Sequence, residues 1–310
     1  VNLKILMLGN YSLRYSNFNM VVWDAQIRGF EKLGYRPYTL DIKDYSFSFI
    51  LKWIEINKPD ILWVAGKIVI NFFKKFGDYF KNSKIKVVYW MWDVRNPIKY
   101  DFKNIIDVMF ISSKGEIPLY KENYNLERIY YMITPVTPQL LRVNRNIRKV
   151  YDIGFAGRLD KSPAHIERTK HLKILMKYFK VKSVSNIYNN IPEFYSKCKI
   201  IFGGAPDYKD LELYSSFRMY YVLCCGSCYL TNRFKGIERI AENEIHLLCY
   251  ETIDEMLEIV NKYLANNHLR YNIENNSRKL AIENYHYAIR IKNMMDIVDG
   301  KSNGFNGFLY

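Results

Sequence analysis

Leu3 to Leu8 is an unbroken apolar run that stops at Gly9-Asn10, the pattern of a strand buried on both faces in a parallel sheet. Trp23, Ile27 and Phe30 then recur at i, i+4 and i+7, with Gly34 as a C-terminal stop, so the spacing predicts a helix. The alternation continues with a helix through Phe49 to Ile56, a strand from Asp60 to Ala65 and a helix near Phe72 to Phe80. A strand from Lys86 to Trp92 and a short one from Val108 to Ser112 follow. Strands alternating with helices predict a parallel sheet covered on both faces.

Periodicity stops at Ile133 to Pro138, where two prolines enforce extended backbone, and a basic stretch from Arg142 to Lys149 follows. A second alternation then begins. Tyr151 to Phe155 reads as a strand, and Ala156-Gly157-Arg158 as a turn. The next helix has Leu172, Leu175, Met176 and Phe179 inward and Lys170, Lys173, Lys177 and Lys180 outward. Lys199 to Phe202 is a strand ending in Gly203-Gly204; Ser216 to Cys225 is helical and ends at Gly226; Cys228 to Thr231 is a short strand. Ile253, Met256, Leu257, Val260 and Leu264 mark an amphipathic helix. The expected organisation is α/β, with Rossmann-like domains over 1–140 and 141–295 whose parallel sheets face a central cleft, and a flexible or docked tail over 296–310. Ligands of open α/β sheets bind at the carboxyl ends of strands, so two such domains set an acceptor opposite a donor.

Composition narrows the partner. The 310 residues are 49% hydrophobic and 25% charged, which excludes a disordered or low-complexity chain. Lys and Arg number 46 against 31 Asp and Glu, a net charge of +15, and predict an anionic partner such as nucleic acid, an acidic membrane surface or a phosphorylated small molecule. Five cysteines among apolar residues argue against a disulfide framework, and Cys225-x-x-Cys228 lacks the second pair that a zinc site needs. The histidines are scattered, so no metal site is expected. With no apolar run long enough to span a bilayer, and Val1 to Lys4 reading as strand, the expected location is cytoplasmic, with peripheral docking on anionic lipid a further use of the charge.

Three stretches carry candidate chemistry. Gly154 to Lys161 leaves a strand and precedes a helix: Gly157 admits a phosphate close to the backbone, Arg158 offers a bidentate fork and Lys161 a point charge. Asp93 ends the strand containing Trp90 and Trp92. It is a candidate base for an attacking hydroxyl or, alternatively, a cap for the turn that follows. Asn10, Arg14 and Trp92 are candidates for contacting the acceptor, the first two in the polar loop after the first strand and the third by stacking. No nucleophile elbow or Ser-His-Asp order supports hydrolase chemistry.

The segment Ser216 to Ser227 resembles group 1 glycosyltransferases, in particular their spore-maturation-protein-like (CgeB-like) branch, where an Arg-x-x-Glu on a helix precedes a small-residue segment and Gly. Arg218 matches the arginine and Gly226 the glycine, whereas Tyr221 stands where the glutamate that holds the donor ribose is expected. Gly157-Arg158-Leu159 with Lys161 resembles the family's diphosphate-contacting segment, and Thr252 to Met256, Arg278 and Glu283 to Arg290 resemble its C-terminal close. The likeness covers about 150 to 295. It implies a GT-B fold and a metal-independent, retaining transfer, with no obligatory cofactor, from a UDP- or GDP-sugar bound by Gly157, Arg158, Lys161, Arg218, Tyr221 and Gly226. The acceptor, whether a glycan, lipid-linked, protein or nucleic-acid hydroxyl, stays open. So does a nucleic-acid-binding protein on a transferase-like scaffold, or a transferase acting on modified bases, which the charge and the missing glutamate favour.

Overall fold

Unbroken apolar runs become strands, and runs with a 3.6-residue period become the helices that cover them. The computed structural model describes residues 3–9, 17–66, 69–91, 97, 99–157, 165–185, 190–214 and 216–305, with backbone alone at 17–22. The chain divides into two units, Val1–Pro135 with Tyr287–Asn306, and Val136–His286.

The first unit runs β1 (Ile5–Gly9), α1 (Asn17–Lys32), β2 (Tyr38–Asp41), α2 (Phe47–Asn57), β3 (Ile61–Ala65), α3 (Val69–Lys81), β4 (Lys86–Met91), β5 (Val108–Ile111), α4 (Ile117–Tyr124) and β6 (Ile129–Tyr131). Its six strands pair in parallel in the order β2-β1-β3-β4-β5-β6. Leu6, Leu8, Leu62, Val64 and Tyr89 on one face pack with Phe72, Phe73 and Phe80 of α3. On the other, Trp63 is fully buried, set edge-on to Phe30 and hydrogen-bonded through Nε1 to Gln26 Oε1 at 2.7 Å.

The second unit contains β7 (Tyr151–Ala156), α5 (Ile166–Tyr178), β8 (Val181–Val184), α6 (Ile191–Ser196), β9 (Cys198–Phe202), α7 (Phe217–Cys225), β10 (Cys228–Asn232), β11 (Leu248–Tyr250), α8 (Ile253–Ala265) and α9 (Asn267–Asn284). Five parallel strands take the order β11-β10-β9-β7-β8. Phe155, Ile200, Phe202 and Leu230 pack against Leu172, Leu175, Met256 and Val260. The inward stripe of α5 is narrower than its spacing predicts. Leu172 and Leu175 are buried, Ile174 and Phe179 pack against the same core from its margin, and Met176 is 43% exposed. The four outward lysines are exposed as expected. All five cysteines are buried free thiols, and burial pushes Cys224 and Cys249 up to about 12.

The boundary falls between residues 135 and 136 rather than at 140, and the final helix, α10 (Tyr287–Val298), belongs to the first unit rather than to the second or a tail. Packing explains the return. A Cβ on Gly29 of α1 would lie 2.7 Å from Ile291 Cβ, so glycine lets the two helices touch. Arg128 Nη2 donates to Ile297 O at 2.7 Å and Lys86 Nζ to Val298 O at 3.2 Å, satisfying carbonyls that a helix end leaves open.

Candidate functional site

In both sheets the strand order reverses beside the first strand, between β1 and β3 and between β7 and β9. Such reversals open a crevice at the carboxyl edge of a parallel sheet, because the connections on either side leave toward opposite faces. In the second unit, Arg218 spans that point. Its Nε donates to Ala156 O at 2.7 Å and its Nη1 to Gly203 O at 3.3 Å, joining the ends of β7 and β9. Its guanidinium lies 4.8 Å from the centroid of the Phe155 ring. Three of the five guanidinium N–H donors have no partner among the described residues. The first turn of α7, which carries Arg218, adds its partial positive charge to the same edge.

Further polar groups collect there. Arg168 of α5 is buried, approaches the Phe155 ring at 5.6 Å, and is pulled down to about 10 by burial first and the like charge of Arg218 second. Two guanidiniums drawn together in this way favour an anion between or beside them. Asp207 Oδ1 accepts from Glu167 N at 3.2 Å, capping the start of α5. His171 Nδ1 lies 2.8 Å from Tyr250 Oη at the end of β11, and burial lowers the imidazole below its ordinary value. Asn232, the last residue of β10, accepts from Ala205 N through Oδ1 at 2.7 Å and so shapes the turn after β9.

The structure sorts the residues expected from sequence. Gly157 and Arg218 meet, but not as a backbone cradle: Gly157 N donates to Val184 O at 3.0 Å, extending the ladder to β8. What the glycine supplies is room, since a Cβ there would collide with Arg218 Nη2 and sit 3.0 Å from Phe155 Cζ. Tyr221 is 2% exposed inside α7, its ring stacked with Phe217 at 6.3 Å. Gly226 lies at the far end of α7, before β10 begins, on the amino edge of the sheet and away from Arg218. There it takes φ +71°, ends the helix, and brings α9 so near that a Cβ would lie 3.1 Å from Glu274 O. Arg158 and Lys161 lie outside the described residues.

In the first unit, the chain leaves β1 at Gly9 and β4 at Met91 on one carboxyl edge, with β3 between them, roughly 10 Å apart at two strand spacings. Asn10 and Arg14, expected in the loop after the first strand, and Trp92 and Asp93, expected at the end of the strand that begins at Lys86, lie outside the described residues. Trp90 is fully buried and so belongs to the core. Among the described residues no three His, Cys, Asp or Glu side chains converge as a metal site would require, and no helix is long and apolar enough to cross a membrane.

Residues 164–296 match a family model described as "Glycosyl transferase-like". No curated protein matches the chain in sequence. Solved structures match over nearly its whole length. A glycosyltransferase from Rickettsia africae superposes with a TM-score of 0.66 at 11% identity, covering 96% of this chain and 98% of that one. HepE of Anabaena, in complex with UDP and glucose, gives 0.67 at 9% identity, covering 96% and 100%. The DNA modifying enzyme beta-glucosyltransferase, solved with and without uridine diphosphoglucose, gives 0.64 at 13% identity, covering 96% and 99%. The fold is that of GT-B glycosyltransferases, two units each built on a parallel sheet, and the glycosyl transferase-like segment runs through the second unit and on into α10 of the first.

Proposed function

We propose that the protein is a glycosyltransferase of group 1, in its spore-maturation-protein-like branch, that uses a UDP-sugar. The observation that carries this reading is Arg218 at the strand-order reversal of the second sheet, inside the glycosyl transferase-like segment. A nucleoside diphosphate is the ligand whose charge suits that edge, and HepE of Anabaena binds UDP and glucose on the same fold. In the reaction, an acceptor hydroxyl forms a bond to the anomeric carbon on the face from which the diphosphate departs, while the bond from that carbon to the diphosphate breaks and UDP leaves with the electron pair. Arg158 and Lys161, with Arg218, neutralise the charge that grows on the leaving diphosphate. Asp93 receives the hydroxyl proton, with Asn10, Arg14 and Trp92 holding the acceptor. Metal independence and retention rest on the family resemblance, and activity that persists in a chelator, with product of unchanged anomeric configuration, is the expected result.

The test is turnover of UDP-glucose by wild type and Arg158→Ala. The variant loses at least ~100-fold in rate, the effect typical of deleting a charge-stabilising donor; near-normal turnover removes Arg158 from the mechanism. A second reading of the acceptor, a hydroxyl on a modified base in nucleic acid, is favoured by the net charge of +15 and by the DNA modifying enzyme among the structural neighbours. Duplex affinity that falls steeply with salt supports that acceptor. Salt-independent, weak binding points instead to a glycan, protein or lipid-linked one.

A further inference from the structure

A cavity of about 610 Å³ in the second unit is lined by Arg142, Arg145 and Arg278 together with Asn144, Asn146 and Asn275. Cys225, at the end of α7, is part of its wall, which places the cavity on the amino edge of the sheet, opposite Arg218. No Asp or Glu is among the described residues that line it. Glu274, the neighbour of Asn275, is already paired with Lys149 at 2.9 Å.

Two of the three guanidiniums are held from within. Arg278 donates to Leu141 O at 2.7 Å, to Pro138 O at 3.2 Å and to Cys224 O. Arg145 Nη2 donates to Asn275 Oδ1 at 2.6 Å, and its guanidinium lies 4.8 Å from the centroid of the Tyr271 ring. Guanidiniums fixed this way lose little further freedom when a ligand takes their remaining N–H groups. Arg142 is exposed and has no hydrogen bond or ion pair among the described residues.

We infer that this cavity is a second anion site, separate from the carboxyl-edge site, which takes a small molecule through a phosphate group. Three guanidiniums with no carboxylate in the wall match a dianion that accepts several hydrogen bonds at once. The volume falls in the range of small-molecule sites, roughly 300 to 1,000 Å³, and leaves room for an organic group beyond the phosphate.

The test is calorimetric titration of the full chain, with UDP present at saturation so that the carboxyl edge is filled. Orthophosphate and glucose 1-phosphate are the probes, on wild type and the doubly substituted Arg142→Ala, Arg145→Ala protein. At least one probe binds wild type and binds the double variant ~10-fold or more weaker, as loss of charge-assisted hydrogen bonds requires. Tighter binding of glucose 1-phosphate than of orthophosphate identifies an organic phosphate, and equal binding identifies the free ion. Equal affinity of wild type and double variant for both probes, or no binding by wild type, overturns the inference. UDP affinity, unchanged in the double variant, shows that the variant is folded and keeps the outcome separate from the transferase reading.

Discussion

At the scale of the residue, the candidate donor edge depends on one guanidinium and the glycine that makes room for it. Gly157→Ala puts a methyl group against Arg218 Nη2 and Phe155, and the side chain that bridges β7 and β9 must move. Arg218→Lys keeps the charge and loses the planar fork that reaches two carbonyls together. Both substitutions are expected to weaken UDP binding at least ~10-fold, measured by calorimetry, since each removes preorganised charge-assisted donors; unchanged affinity in both takes Arg218 out of the site. Gly157 and Arg218 are legible in the sequence because a short motif carries them. Arg168, His171, Asn232 and Tyr250 are not. They sit on three separate elements, Arg168 and His171 together on α5, and meet only when the sheet forms, although the polar Asn232 closing an apolar strand is a signal that the sequence offers. Burial lowers both His171 and His246. The unfolded chain therefore binds protons near the ordinary value of 6.5 that the folded chain does not, and stability falls as pH drops below that point. Urea midpoints measured above and below it are expected to decline on the acid side, and less so in His171→Gln; a decline of equal size in the variant denies His171 a share.

At the scale of the element, what can be read from sequence tracks length and period. β1, β3, β4 and β9 are runs of five or six residues, mostly apolar, and α8 repeats its apolar positions over three turns, so each is found within a residue or two. β6 and β11 have three residues and β2 and β8 four, too few for a period of two to stand out. The 18-residue α9 is polar over much of its surface and is signalled chiefly by Asn266, whose Oδ1 caps Leu269 N at 3.1 Å. The return of α10 to the first unit is invisible in one dimension, because it rests on a missing Cβ at residue 29, some 260 positions upstream. That contact makes a prediction. Gly29→Ala overpacks the α1–α10 seam and is expected to cost about 1–3 kcal/mol in urea unfolding; a midpoint equal to that of wild type means the helices separate freely.

At the scale of the molecule, repetition of one topology in both units is what links sequence to function. Each parallel sheet reverses its strand order once, and each reversal opens a carboxyl edge suited to a ligand. The excess of 15 positive charges adds a general attraction for anions, while Arg218 gives the second unit a specific one. The most direct measurement is a crystal structure of the protein with UDP. The diphosphate is expected within hydrogen-bonding distance of Arg218 at the ends of β7 and β9. UDP bound at any other place, with that edge empty, contradicts it.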